Sequence, residues 1–172
     1  MKIVIAITGA SGTHLGIKAY HLLPPSVEKY LILSDNAKIA AKKENIQILD
    51  DDAIWEGPAS GSFGIDAMLI APCSMNTLAK IACGIADNLT TRAASVILKE
   101  HKRLLLAPRE IPLSPIALEN MLKLSRLNVI IAPPILGYYS DPKDLEQMER
   151  FIIGKWFDLL RIEHDLYKRW QC

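Results

Sequence analysis

Three cysteines in 172 residues, at positions 73, 83 and 172, are too few for a disulfide framework. Their number is odd and none is paired in CxxC spacing, so a structural zinc site is excluded on the same grounds. Charge of one sign is also missing. Twenty basic residues face nineteen acidic ones and no basic tract occurs, which argues against an extended nucleic-acid surface. No apolar run approaches the roughly 20 residues that a membrane helix needs. Met1 leads straight into Lys2-Ile3-Val4-Ile5, without the longer apolar region and cleavage site of a secretory leader. Internal repeats and low-complexity linkers are absent as well. The expectation is a cytoplasmic protein with no membrane or nucleic-acid partner. Half the residues are hydrophobic and 23% are charged, as in an ordinary globular chain. The length suits one domain, residues 1–172, with a helical C-terminal segment over about 142–172.

What is present is a recurring unit. Short apolar runs at residues 2–7, 29–33, 67–71 and 103–107 each end in turn chemistry and lead into a helical pattern. A fifth run, 129–132, is closed by Pro133-Pro134. The helices are expected up to Leu23, over 37–43, from about Asn76, over 88–101, over 114–125 and over 142–160. Runs buried on both faces and alternating with helices imply an α/β fold. The expected form is a Rossmann-like (flavodoxin-like) parallel sheet with helices on both faces, in three α/β/α layers. Asp50-Asp51-Asp52 reads as a solvated loop or helix cap, because three adjacent carboxylates without other ligands make a poor metal site.

In such sheets ligands bind beyond the carboxyl ends of the strands, so those loops carry the search for chemistry. Thr8-Gly9-Ala10-Ser11-Gly12 offers glycines for close backbone approach and a helix start for an anion. A tight turn without a ligand would look similar. The full GxGxxG fingerprint is missing, and Ser34 ends the second strand where a dinucleotide site would hold an acidic residue. That favours a mononucleotide over NAD. Pro72-Cys73-Ser74-Met75-Asn76-Thr77 places two hydroxyls and an amide at another helix start, where simple capping by Ser74 is the alternative. Cys73 has no histidine near it in sequence and reads as a buried thiol. Arg109-Glu110 sets a guanidinium beside a carboxylate, either for a ligand or as a surface ion pair worth about 0–1 kcal/mol. Ser60-Gly61-Ser62-Phe63 and Tyr138-Tyr139 add a small-residue loop and an aromatic pair.

Taken in order, these segments resemble the flavin prenyltransferase family, formerly described as 3-octaprenyl-4-hydroxybenzoate or phenylacrylic acid decarboxylases. The resemblance runs from Ile3 to Trp170. It rests on the Thr8–Gly12, Ser60–Phe63 and Pro72–Ala79 segments, and on Thr91-Arg92-Ala93-Ala94 with Leu98-Lys99-Glu100. Pro108-Arg109-Glu110-Ile111-Pro112-Leu113-Ser114, Leu118-Glu119-Asn120-Met121 and Arg169-Trp170 complete it.

The resemblance implies transfer of a dimethylallyl group from dimethylallyl phosphate to N5 and C6 of reduced FMN. The product, prenylated FMN, would serve a separate decarboxylase of the ubiquinone-pathway type. Gly9, Ala10, Ser11, Ser34, Ser74, Met75, Asn76, Thr77 and Arg109 match the family's FMN positions. Lys99, Arg109, Glu110, Tyr139 and Lys155 match those around the prenyl phosphate. Ser11 would face the reacting flavin edge, and Glu44, Glu110 or the departing phosphate itself would take the proton. No metal is implied, and the family forms homo-oligomers, usually dodecamers. Lys155 departs from the family's arginine, keeping the charge but losing the two-pronged donor. The runner-up is an FMN-dependent cysteine decarboxylase of the phosphopantothenoylcysteine decarboxylase type, which is similar over 71–77 and 84–88. Its Pro-Ala-Met-Asn loop is replaced here by Pro108-Arg109-Glu110, and its catalytic histidine has no counterpart; His14 reads as an exposed first-turn residue. A non-catalytic flavin carrier is the third reading.

Overall fold

Alternation within the first strand organises the whole molecule. In β1 (Lys2–Thr8), Ile3, Ile5 and Ile7 enter one core while Val4 and Ala6 enter the other. Successive side chains of a strand point to opposite faces, so a strand apolar at every position must be covered on both. The computed structural model describes residues 1–9, 11–34, 37, 48–138 and 141–169. Around β1 it arranges β2 (Glu28–Leu33), β3 (Ile48–Asp50), β4 (Ala67–Cys73), β5 (Arg103–Pro108) and β6 (Ile130–Ile131). All pairings are parallel and the order is β3-β2-β1-β4-β5-β6.

Among the described residues, two helices cover most of one face. The α1 helix (Thr13–Leu22) and the α5 helix (Leu145–Leu160) pack Ala19, Trp156 and Phe157 against Ile5, Leu69 and Leu105. On the other face α2 (Met75–Ala82), α3 (Leu89–Lys99) and α4 (Pro115–Ser125) bring Leu78, Ala93, Ile97 and Leu124 onto Val4, Met68 and Leu106. Each fully buried Ile or Leu contributes about 1.5–3 kcal/mol, so both faces are needed to hold the sheet. No helix among the described residues is long and apolar enough to cross a membrane.

The expected elements stand, with adjusted ends. The third run extends through Pro72 and Cys73, and the last helix begins at Leu145 rather than near 142. β3 was not expected, since its three residues carry no run long enough to read. The helix expected over 37–43 lies outside the described residues apart from Ala37.

The acidic triplet divides. Asp50 ends β3, Asp52 is exposed, and Asp51 is buried. Asp51 accepts the Thr90 amide (2.8 Å) and the Asn88 side-chain amide (2.9 Å). It thus caps α3, a helix 37 residues further along the chain.

Candidate active site

The strand order reverses between β1 and β4, and this is where the carboxyl ends of neighbouring strands open a crevice. A cavity of about 140 Å³ lies there, lined by Thr8, Gly9, Ser11, Pro72, Cys73, Ser74, Met75, Arg109 and Glu110. Three successive strands, β1, β4 and β5, therefore deliver their end loops to one place.

Pro72 shapes this crevice. Proline has no amide to give the ladder, and in an interior strand it is tolerated only at an irregularity. The register between β1 and β4 shifts between Ala6 and Thr8, and that between β4 and β5 shifts between Ile70 and Cys73. Thr8 spans the gap. Its hydroxyl accepts the Ser74 amide at 3.1 Å and donates to the Pro72 carbonyl at 3.4 Å. Ser74 then caps α2, accepting the Thr77 amide (3.2 Å) and donating to the Thr77 hydroxyl (3.0 Å). Capping of α2 by Ser74 is thus real.

The first loop reaches its helix through Gly9 and Gly12, whose φ values of 143° and 84° suit glycine. Gly12, at the cap position of α1, has no side chain with which to cap it. Gly16, four residues on, was not singled out in the sequence. A Cβ there would overlap the Ala71 carbonyl and stand 2.8 Å from Ile7 Cδ1, so α1 approaches β4 only because this position is bare.

Arg109 and Glu110 are exposed at the end of β5, and the surface ion pair that was the alternative to a ligand role does not form between them. Glu110 instead accepts the Ile111 amide at 3.1 Å, while Arg109 has no ion-pair partner among the described residues. The Ser34 hydroxyl is buried and unpartnered at the end of β2. Burial pushes the Cys73 thiol up to about 12, so it is no nucleophile although it lines the cavity. His14 is turned to Glu149 of α5, 3.0 Å away, and is exposed.

The remaining candidates sit apart. Asn76 is exposed on the first turn of α2. Lys99 ends α3, pairs with Glu100 at 2.6 Å, and lies beside Gly61. That is the amino end of the sheet, since neighbouring Phe63 offers its carbonyl and ring to Lys2. With strands rising about 3.3 Å per residue, β5 separates Lys99 from Arg109 by about 20 Å. Lys155 is exposed on α5, outside the cavity wall. Ala10, Glu44 and Tyr139 lie outside the described residues.

A second cavity, about 440 Å³, meets the first at Glu110 and is apolar: Pro108, Ile111, Leu113, Leu118, Met121, Pro133 and Ile135 line the rest of it.

A sequence profile of the flavoprotein family matches residues 1–149. The flavin prenyltransferase UbiX of Campylobacter jejuni is 49% identical, over 99% of this chain and 99% of its own. The chain belongs to the flavin prenyltransferase family. Two solved structures place this family's fold on the chain. A dodecameric FMN-dependent Ubix-like decarboxylase from Escherichia coli O157:H7 is 37% identical, covers 100% of both chains and has a TM-score of 0.92. AnUbiX (PadA1), in complex with FMN and dimethylallyl pyrophosphate, is 36% identical over 99% of this chain and 97% of its own, with a TM-score of 0.91.

Proposed function

We propose that this chain is a flavin prenyltransferase that moves a dimethylallyl group from its phosphate ester to N5 and C6 of reduced FMN. The observation that carries this reading is the meeting of a polar and an apolar cavity at Glu110. A C5 prenyl phosphate has one polar end and one apolar end, and its two ends suit the two cavities.

The residues present fit FMN. The bare start of α1, the buried Ser34 hydroxyl and the unpaired Arg109 are complementary to a phosphorylated flavin. FMN, the acceptor, supplies nucleophilic positions at its N5 and C6. The carbon–oxygen bond of the donor would break with its electron pair leaving on phosphate as carbon 1 bonds N5, which gives up its proton. Protonation of the prenyl double bond would then let the tertiary carbon bond C6, which gives up its own proton, for a net release of phosphate and one proton. Arg109 stabilises the departing charge, Lys155, which lies outside its own chain's cavity, joins it from a neighbouring copy, and Glu110 is placed to take the proton. The apolar wall from Ile111 to Ile135 keeps water from the allylic carbon.

This reading includes a homo-oligomer, as in the dodecameric relative. Beside the site Ile111 and Ile135 are 88% and 71% exposed, a patch of the kind that a further subunit covers. Lys99 cannot reach its own chain's Arg109, so it serves the site of a neighbouring copy. A cytoplasmic location and delivery of prenylated FMN to a decarboxylase belong to the same reading. The test is spectroscopic: protein, reduced FMN and dimethylallyl phosphate should give a new flavin species. Bound but unmodified FMN would refute transfer and leave a carrier, or a decarboxylase to be tried on a cysteinyl substrate.

A further inference from the structure

The chain after α5 folds back onto that helix through a single carboxylate. Asp158 accepts Nη2 of Arg169 at 2.7 Å, Nε2 of His164 at 3.1 Å, and the Tyr167 hydroxyl. The His164 side chain is almost fully buried, and its Nδ1 accepts the Leu166 amide at 3.1 Å. An imidazole nitrogen that accepts carries no hydrogen, so Nε2 holds it and donates to Asp158. Burial pushes the Asp158 carboxyl up, but the Arg169 and Tyr167 hydrogen bonds and the charges around it outweigh that and hold it below its ordinary value. The acceptor is thus ionised at neutral pH, and all three donors stay engaged.

The ring so fixed has a contact on its far side. Tyr167 packs edge-on against Phe151 with centroids 5.0 Å apart. It fits over α5 only at Gly154, where a Cβ would stand 2.5 Å from Tyr167 Cδ1. Phe151 in turn abuts Gly137, where a Cβ would overlap the Phe151 ring. Gly137 closes the short segment whose Pro133 and Ile135 wall the apolar cavity beside Glu110. A continuous packed path therefore runs from Asp158 through Tyr167 and Phe151 to that wall.

We infer that Tyr167 is a positioning residue for the prenyl end of the site: clamped by Asp158, its ring presses Phe151 against Gly137 and sets the wall that receives the dimethylallyl group. This role rests on the prenyltransferase reading above. None of Asp158, His164, Tyr167 and Arg169 lines the polar cavity. Its influence is confined to the donor side, and flavin binding is independent of it.

The experiment uses the full-length chain with reduced FMN and dimethylallyl phosphate. Tyr167→Leu should raise the donor KM about tenfold while the FMN dissociation constant stays within about twofold. Tyr167→Phe keeps the ring and loses the hydroxyl bond that clamps it, so its donor KM should lie between those of wild type and Tyr167→Leu. Gly137→Ala leaves the clamp intact and displaces Phe151 from its other side, so it reads the same path if Tyr167→Leu fails to fold. It too should raise donor KM alone. A folded Tyr167→Leu or Gly137→Ala chain with wild-type donor KM overturns the role. So does a parallel loss of donor and FMN affinity, or a larger rise of donor KM in Tyr167→Phe than in Tyr167→Leu. A wild-type chain that forms no prenylated flavin instead overturns the functional reading, and this role with it.

Discussion

The hydroxyl of Thr8 accepts the amide of Ser74 at 3.1 Å, joining the ends of β1 and β4 where Pro72 has interrupted their ladder. This one bond ties the end of β1 to the cap of α2, and Thr8 and Ser74 both line the polar cavity. Without it the Ser74 amide would lose its partner beside the polar cavity.

Thr8→Val keeps the shape and removes the hydroxyl. The lost bond and the orphaned amide should cost about 1–3 kcal/mol of stability. FMN affinity should fall with it, because Ser74 and Gly9 both line the cavity. Denaturant unfolding and FMN titration of the variant check this; unchanged FMN affinity would separate the bond from the site.

Lys155 stands on α5 as an exposed cation, where the family resemblance expects an arginine at the prenyl phosphate. Lys155→Ala should raise the donor KM and leave FMN binding intact, whereas Lys155→Arg should lower it or leave it level. Steady-state kinetics against dimethylallyl phosphate decide the matter. Wild-type donor kinetics in Lys155→Ala would remove Lys155 from the site.

Much of this was legible in the residues because buried parallel strands leave plain apolar runs. All four principal runs became strands, and Ser11, Ser74, Met75, Arg109 and Glu110 meet in one cavity, as their strand-end positions imply. Less visible was whatever depends on a distant partner. Asp51 reads as one of three adjacent acids until α3 is seen to end on it. Gly16 looks like any helical glycine until the Ala71 carbonyl is set against it. Pro72 was the available signal for the Thr8 bridge, since a proline inside a buried strand demands a local substitute for the missing amide. Lys99 came from the family resemblance alone and lies beyond strand-end logic: in its own chain it sits at the opposite end of β5 from Arg109.

Acid should loosen the α5 side of the molecule. The Asp158 and Glu149 carboxyls both lie below their ordinary values of 3.8 and 4.5 in the folded chain. For Glu149 burial pushes upward, but the Lys18 hydrogen bond and the Lys18 and His14 charges outweigh it. Each therefore binds its proton more weakly when folded. The stability it adds is complete above its ordinary value and is lost as pH falls through the lower folded value. The thermal midpoint should be level in this respect down to about pH 5 and should drop below about pH 4. Asp158→Asn should lower the midpoint at neutral pH and flatten part of that drop. An equal acid drop in the variant would assign the titration elsewhere.

Cys73 tests the boundary with cysteine chemistry. With its thiol pushed up to about 12 by burial, it has no thiolate to offer at neutral pH. Cys73→Ala should therefore retain prenyl transfer and cost only about 1 kcal/mol of packing. Alkylation of the native protein should label exposed Cys83 well before Cys73. Loss of turnover in a stable Cys73→Ala chain would revive a nucleophilic role.

The two ends of β5 make the last prediction, because Arg109 and Lys99 are separated by the length of that strand. If one copy's Lys99 completes another copy's Arg109 site, each single variant is defective at every site of its own oligomer. In mixed oligomers some interfaces join a Lys99→Ala chain to an Arg109→Ala chain in the productive order. There an intact Lys99 meets an intact Arg109, and about a quarter of sites should recover after random subunit exchange. Lys99→Ala and Arg109→Ala proteins, each poor in prenyl transfer alone, should thus regain measurable activity when dissociated and reassembled together. Reassembly to full-size oligomer without any recovery would mean that both residues act within one chain's site or that Lys99 does not act at all. Wild-type transfer by the Lys99→Ala protein alone would choose the second of these.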